Sequence, residues 1–474
     1  MRRLLRVLFG PVAACLLSSA GTALAAPPAI SDELIAPVTS AYLRAVKPDA
    51  QADAHRELFA AVLRRVQQNY ARDVDLPALI GAAAKAIEPL PPQSGEPAEV
   101  FAKAINAALA TLDPHSRYLD ERAQIEQRSA LSGSFGGLGM QVEMVDGLVR
   151  VVSPMPDTPA ARAGLQTGDL IVQFDGHPVH GMSLPDAIAR MRGAPGTPIT
   201  LTIRREGSGD FAVSLVRETI RTQVLRWSME HGVLVLRLAS FTSGIAAAVE
   251  QAIAEANAIA IPRAVVLDLR GNGGGLIRPA VKIADDFLGA GEIVSLRGRT
   301  SANQRTWQAD ANERLPGVPV VVLIDGRTAS AAELVAAALQ ENGRATILGS
   351  RSFGKGSVQS ILSLGEGNGA LRLTTALYHG PTGRTVQRTG VGPDIELVAA
   401  PGTEPANRRR EADRPHALPG ADEPLPPKAR VDQSRCASAR QDLDPALACA
   451  LAFIDTGGTE GFLAWLAPGS DSAH

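Results

Sequence analysis

Little in this chain is aromatic: 4% of its 474 residues are Phe, Trp or Tyr. Lysine is scarcer still, six residues against 41 arginines, so each lysine invites a reason. Neither sign of charge dominates, and a formal net charge of -2 supplies no basic field of the kind nucleic-acid binding needs. Cysteine occurs only at Cys15, Cys436 and Cys449. Apolar residues, by contrast, make up 45% of the chain. At this length they can build the cores of roughly two to four domains.

The chain starts MRRLLRVLFGPVAACLLSSAGTALAA, with a basic beginning, an apolar run and the small-residue pattern Ala23-Leu24-Ala25. This is the make-up of a cleavable export signal over residues 1–26, so the mature protein is expected to be periplasmic or secreted. Lipidation at Cys15, in Val12-Ala13-Ala14-Cys15, is a rival reading that would associate it with the membrane. Loss of the leader leaves Cys436 and Cys449, which an oxidising compartment allows to pair; two unpaired core thiols are the alternative.

Residues 30–130 carry helical spacing. Leu58, Phe59, Val62, Leu63 and Val66 recur on one face, as do Phe101, Ile105, Leu109 and Leu112, while Asp75-Leu76-Pro77 opens a helix between them. The sequence LDPHSRYLD that follows contains a histidine and acids, but reads as a structural turn rather than a metal site. No metal or cofactor is expected. From 134 to 217 the pattern changes to short strands and glycine turns, a β-rich module of domain size. Its stretch Phe135-Gly136-Gly137-Leu138-Gly139-Met140 resembles the carboxylate-binding loop of a PDZ domain, and GLQTGDLIVQFDG is similar to the turn and strand of bacterial PDZ modules. Glycines there would let backbone N–H groups of residues 136–140 converge on a chain-end carboxylate, with edge pairing to the next strand.

Residues 220–400 alternate strands and helices. AVVLDL and VPVVVLID are continuous apolar runs, as strands covered on both faces require. The region therefore reads as a layered α/β domain whose post-strand loops gather a site. The polar stretch 299–317 is expected to be a surface excursion or a lid. Three features carry chemistry. LDLRGNGGGL ends a strand and precedes a helix, presenting N–H groups suited to an anion or an oxyanion; a tight turn is the plain alternative. Ser330-Ala331-Ala332-Glu333 has the form of a capping box, yet a nucleophile would profit from the same helix start. Lys355, between Gly354 and Gly356 in an arginine-rich chain, suggests a removable proton, with Gln359 near enough to orient the amine. His231 and His379 are competing bases.

The order of helical arm, β-rich module, LDLRGNGGGL, TASAAELVAAALQ, GSRSFGKGSVQ and LTTALYHGPTGRTVQ with GVGPDIEL resembles the carboxyl-terminal processing peptidases, serine endopeptidases of the bacterial envelope and chloroplasts. The likeness covers about residues 55–398. It implies an α+β multidomain fold: helical arm, PDZ domain and a layered α/β core similar to the crotonases. It also implies Ser330 as nucleophile, Lys355 as general base, Gln359 as the residue orienting the lysine, and Gly275 and Ala331 as oxyanion donors, with Gly274 the near alternative. Ala332 departs from the family, which often has a second serine there. The expected partners are protein or peptide substrates with apolar C-termini, an envelope adaptor protein and a second copy of the chain, with no nucleic acid. A non-catalytic PDZ adaptor and a crotonase-like acyl-transfer enzyme are the competing readings. The Pro- and charge-rich stretch 401–435 is expected to be a flexible linker, and 436–474 a helical tail that docks on the body, binds a partner or rests in the PDZ groove.

Overall fold

The computed structural model describes residues 30–47, 50–399, 409–420, 423, 426–437 and 442–467. The export leader and Cys15 lie outside the described residues.

Helices Asp32–Ala45, Ala50–Asn69, Leu76–Ile87 and Pro97–Ala110 form the arm, and their apolar faces share one core. Asp75 caps the third helix by accepting the Ala78 N–H at 3.0 Å. Leu371, Leu373 and Leu418 join that core from far along the chain, so the arm is packed onto the body. A fifth helix, Glu121–Ser132, buries no residue of its own and leads to the β-rich module.

Within 134–217 the sheet is ordered Met140–Val145, Leu148–Pro154, Leu170–Phe174, Pro198–Arg205 and Gly209–Val216. The helix Leu184–Met191 packs on it over a core that includes Val149, Ile171, Leu201 and Ile203. Ser134–Gly137 pairs separately with Glu218–Arg221.

The central sheet of the third region runs Leu225–Glu230, Val233–Leu238, Ala264–Asp268, Val320–Ile324, Ala345–Gly349, Ile395–Val398 and Ala429–Asp432, parallel after the first pair. Its residues alternate between two cores. Val265, Leu267, Val320 and Val322 face the helices Ile245–Ile259, Ile277–Asp286 and Ala331–Glu341. Val266, Val321 and Leu323 face the C-terminal helices Pro445–Asp455 and Thr459–Trp465. The two apolar runs are thus covered on both faces. A second sheet has the long strand Ala370–His379 at its centre, paired with Arg117–Leu119, Glu292–Gly298 and Ser357–Ser363. The polar stretch 299–317 enters it as Arg305–Gln308.

One expectation changes here, and two left open are settled. The stretch 401–435 is no free linker where it is described: Glu411 and Leu418 are buried, and Ala429–Asp432 adds the last parallel strand. Its charge and proline content concealed a few residues with specific buried partners. The tail docks on the body, with Phe453 and Phe462 against the sheet, and Cys436 is disulfide-bonded to Cys449. A bridge spanning 13 residues should limit the unfolded chain by about 3 kcal/mol on loop-closure grounds. The double variant Cys436→Ser, Cys449→Ser is therefore expected to unfold at lower urea concentration than the oxidised wild type; equal midpoints would show that the bridge adds nothing.

Candidate active site

The adjacent parallel strands Ala264–Asp268 and Val320–Ile324 are buried at every residue, and both release loops at their carboxyl ends. That is where open α/β sheets place sites. Hydrogen bonds sew the two loops together. Asp325 accepts the Gly271 N–H at 2.9 Å, the Thr328 hydroxyl donates to the Leu269 carbonyl at 2.9 Å, and the Ala329 N–H donates to the Asn272 carbonyl at 2.9 Å.

Ser330 stands at the end of the second loop, immediately before the Ala331–Glu341 helix, with φ 57° and ψ -120°. A non-glycine residue pays about 1–3 kcal/mol for such a conformation, so its surroundings must impose it. They do so through Glu333, whose Oε2 accepts the Ser330 N–H at 2.8 Å. The Ala331 N–H is one of the helix-start donors that no preceding turn satisfies. Across from it, the Gly274 N–H is committed to Asn272 Oδ1 at 2.8 Å, whereas among the described residues Gly275 has no such partner. Gly275 lines the cleft and Gly274 does not. Neither position tolerates a side chain: a Cβ on Gly274 would lie 2.8 Å from Ser330 Cβ, and one on Gly275 2.3 Å from the Phe241 carbonyl oxygen.

Lys355 belongs to the loop between Ala345–Gly349 and Ser357–Ser363. Its N–H donates to the same Oε2 of Glu333 at 2.8 Å, while Oε1 accepts the Gly354 N–H at 2.7 Å and the Ser352 hydroxyl. The Tyr378 hydroxyl lies 2.9 Å from the carbonyl oxygens of both Ser330 and Lys355 and shares its proton between them. Two side chains therefore hold both residues at N–H and at C=O. Burial pushes the Glu333 carboxyl up to about 7 against the pull of its four donors. Burial and then the Arg372 charge push the Lys355 amine down to about 8, with Glu411, Glu333 and Asp113 opposing.

Ser330, Ala331, Lys355, Gln359, Gly275 and Tyr378 line one cleft of about 480 Å3. Leu276, Ile277, Leu334, Val358 and Ile361 make its walls largely apolar, and Gln127 and Leu131 reach it from the Glu121–Ser132 helix. No hydrogen bond joins Ser330 to Lys355 among the described residues. Gln359 comes from a strand, with a bulge between Val358 and Gln359, and its amide donates to Ser357 Oγ at 3.0 Å and Thr374 Oγ1 at 3.1 Å rather than meeting the amine. His231 and His379 do not line the cleft.

A separate groove of about 420 Å3 runs between Met140–Val145 and Leu184–Met191. Gly137, Leu138, Gly139 and Met140 line it, with Val142, Ile188 and Met191 as an apolar floor. Gly136 does not: it pairs in Ser134–Gly137, where a Cβ would meet the Gly193 carbonyl oxygen at 2.0 Å. Arg192, which sequence reasoning passed over, lines the groove, its guanidinium 4.7 Å over the Phe135 ring.

Peptidase family S41 matches residues 232–397 and the PDZ domain matches 150–205. The chain is 45% identical over 302 residues to the carboxy-terminal-processing protease of Bartonella bacilliformis, across 63% of this chain and 69% of that protein. The chain belongs to this family. It is 32% identical to the carboxy-terminal processing protease CtpA of Bacillus subtilis, over 62% of this chain and 63% of that one, and 32% identical to the chloroplastic C-terminal processing peptidase of Tetradesmus obliquus, over 62% and 67%. This carboxy-terminal processing protease is thus a serine-type peptidase with an S41 core and a PDZ domain, acting on peptide or protein substrates.

Several residues that organise the cleft of this protease were missed or undervalued in the sequence. Glu333 was visible only as a helix cap. Tyr378 and Arg372 sat unremarked in a strand pattern. Asp113, in a turn read as structural, accepts the Thr374 hydroxyl at 3.0 Å and so reaches Gln359 through Thr374. Glu411 gave no signal, because its partners lie far off in sequence. Exchanging Glu333 for Gln would aim an NH2 group at N–H donors. The Glu333→Gln variant is expected to lose roughly a hundredfold in kcat with little change in KM, measured on an unstructured protein substrate; wild-type kcat would show that the carboxylate does not organise the site.

Proposed function

We propose that Ser330 is the nucleophile and Lys355 the general base of this protease, and that the PDZ groove selects the substrate by its C-terminus. The observation that carries the reading is the joint clamp: one carboxylate and one phenol hold both residues beside a single, largely apolar cleft that Gly275 and Ala331 also line. In the reaction, Ser330 Oγ bonds to the scissile carbonyl carbon while neutral Lys355 Nζ takes the hydroxyl proton. The carbonyl oxygen gains charge against the N–H groups of Gly275 and Ala331 and the start of the helix. Collapse breaks the C–N bond, Lys355 returns its proton to the leaving amine, and water hydrolyses the resulting ester. Gln359, on the cleft wall, is assigned the task of orienting the amine.

For the chain end, backbone N–H groups of the Gly137–Met140 loop take the carboxylate, and the apolar floor takes the last side chain. Arg192 adds a positive charge at the same rim. The proposed place of action is outside the cytoplasm, periplasmic or secreted; the leader pattern and the Cys436–Cys449 bridge support this.

Ser330→Ala and Lys355→Ala are each expected to lower kcat by roughly a thousandfold or more on an unstructured protein with an apolar C-terminus, without loss of binding. Turnover near wild type in either would overturn the assignment. Because the amine must be neutral to act, kcat/KM should rise with pH and level off above about 8. Amidation of the substrate's C-terminus should weaken binding to the groove; equal affinity for the amide and the free acid would reject carboxylate recognition.

A further inference from the structure

Residues 409–420 cross the body as a strap, and the groups they bury converge on the loop that carries Lys355. Arg410 Nη2 donates to the carbonyls of Ser352 at 2.7 Å and Thr389 at 3.0 Å. The Glu411 N–H donates to the Phe353 carbonyl at 3.2 Å, and the Arg414 guanidinium lies 5.5 Å over the Phe353 ring. Leu418 is buried in the core of the helical arm, and its carbonyl accepts from Gln387 Nε2 at 3.3 Å. Gly420 follows with no room for a side chain: a Cβ there would be 1.9 Å from the Gln387 carbonyl oxygen.

Glu411, fully buried, is the centre of this arrangement. His115 Nε2 lies 2.9 Å from both of its carboxylate oxygens, and Gln387 Nε2 donates to Oε1 at 3.2 Å. The other end of that amide, Gln387 Oε1, accepts the Gly356 N–H at 2.9 Å. Two hydrogen bonds therefore connect the backbone beside Lys355 to a carboxylate on the strap. His115 fastens the same carboxylate to the arm, in the turn whose Asp113 reaches Gln359 through Thr374. A carboxylate is withdrawn from water only where such partners compensate it, and here they tie three distant segments to one loop.

We propose that Glu411 is a positioning residue for Lys355: through Gln387 it fixes the 354–356 loop, and it sets a negative charge near the amine, so that the C-terminal strap completes a site otherwise built from the core and the helical arm. The inference rests on Lys355 acting as the base. The charged groups around that amine come from four elements. Arg372 on Ala370–His379 adds to burial in pushing it down, and Glu411 on the strap, Glu333 on the Ala331–Glu341 helix and Asp113 in the turn oppose them. Glu411 itself faces His115, Arg414 and Lys355; burial pushes its carboxyl up, but the His115 contact, Gln387 and the lysine charge outweigh this and hold it below its ordinary value. Removing the Glu411 charge takes away one group that favours the protonated amine. Lys355 then stays neutral to lower pH, and the acid limb of the rate profile moves with it.

The test uses the full chain with the substitutions Glu411→Gln, Glu411→Ala and, in parallel, Lys355→Ala, assayed as kcat and KM against pH on an unstructured protein with an apolar C-terminus, with thermal melts alongside. Glu411→Gln keeps the shape and most contacts, and is expected to move the acid limb to lower pH. Glu411→Ala opens the link to Gln387 and is expected to lower the plateau kcat by roughly ten- to a hundredfold with little change in KM. Folded Glu411 variants with a wild-type limb and wild-type kcat would overturn the proposal. So would loss of activity in Glu411→Ala only in proportion to loss of folded protein, with the limb of Glu411→Gln unmoved. An active Lys355→Ala would instead remove the base assignment on which it depends.

Discussion

The site depends on the Glu333 carboxylate. It lies wholly inside the protein, where an ionised group is costly unless donors surround it, and four donors do: the N–H groups of Ser330, Gly354 and Lys355 and the hydroxyl of Ser352. Each N–H would in turn be left unsatisfied without it, at about 1–3 kcal/mol apiece. The mutual need closes two loops onto one point. It also explains how Ser330 can stay at a positive φ: the strained turn is stabilised by the same oxygen that holds the lysine loop.

A second constraint comes from the strand Ala370–His379. Arg372, Thr374 and Tyr378 lie along it, and the face that carries Arg372 and Tyr378 lines the cleft. From this strand Tyr378 holds the carbonyls of Ser330 and Lys355, Thr374 meets Gln359, and Arg372 lowers the lysine. The same strand pairs with Arg117–Leu119 from the helical arm, which brings Asp113 and His115 within reach. Arm, core and strap thus contribute to one electrostatic environment, although motif reading confines the chemistry to the core.

Much of the plan was legible because its signals are local. Period 3.6 marked the arm helices, continuous apolar runs marked strands buried on both faces, and the glycine run marked a turn with N–H groups to present, in which Gly274 and Gly275 do lie hard against other segments. The choice between Gly274 and Gly275 was not local, since it turns on which N–H Asn272 has already claimed. Gln359 shows a different failure. It was expected near enough to orient the amine and does line the cleft, but it stands on a strand with a shifted register, and its amide finds Ser357 and Thr374. Glu411 escaped notice altogether, because a charged, proline-rich stretch reads as solvated until its buried partners are seen.

By itself the sequence determined the order of the modules, the family they belong to and the serine and lysine worth watching, since each rests on residue type and short-range spacing. Tertiary structure alone decided that Ser330 and Lys355 share one carboxylate and one phenol, that the tail covers the sheet's second face, and that a strap from beyond the core reaches the lysine loop. The physical reason is the same in each case. Hydrogen bonds and burial between segments far apart in the chain leave no periodicity behind, and a buried acid has the same letter as a solvated one.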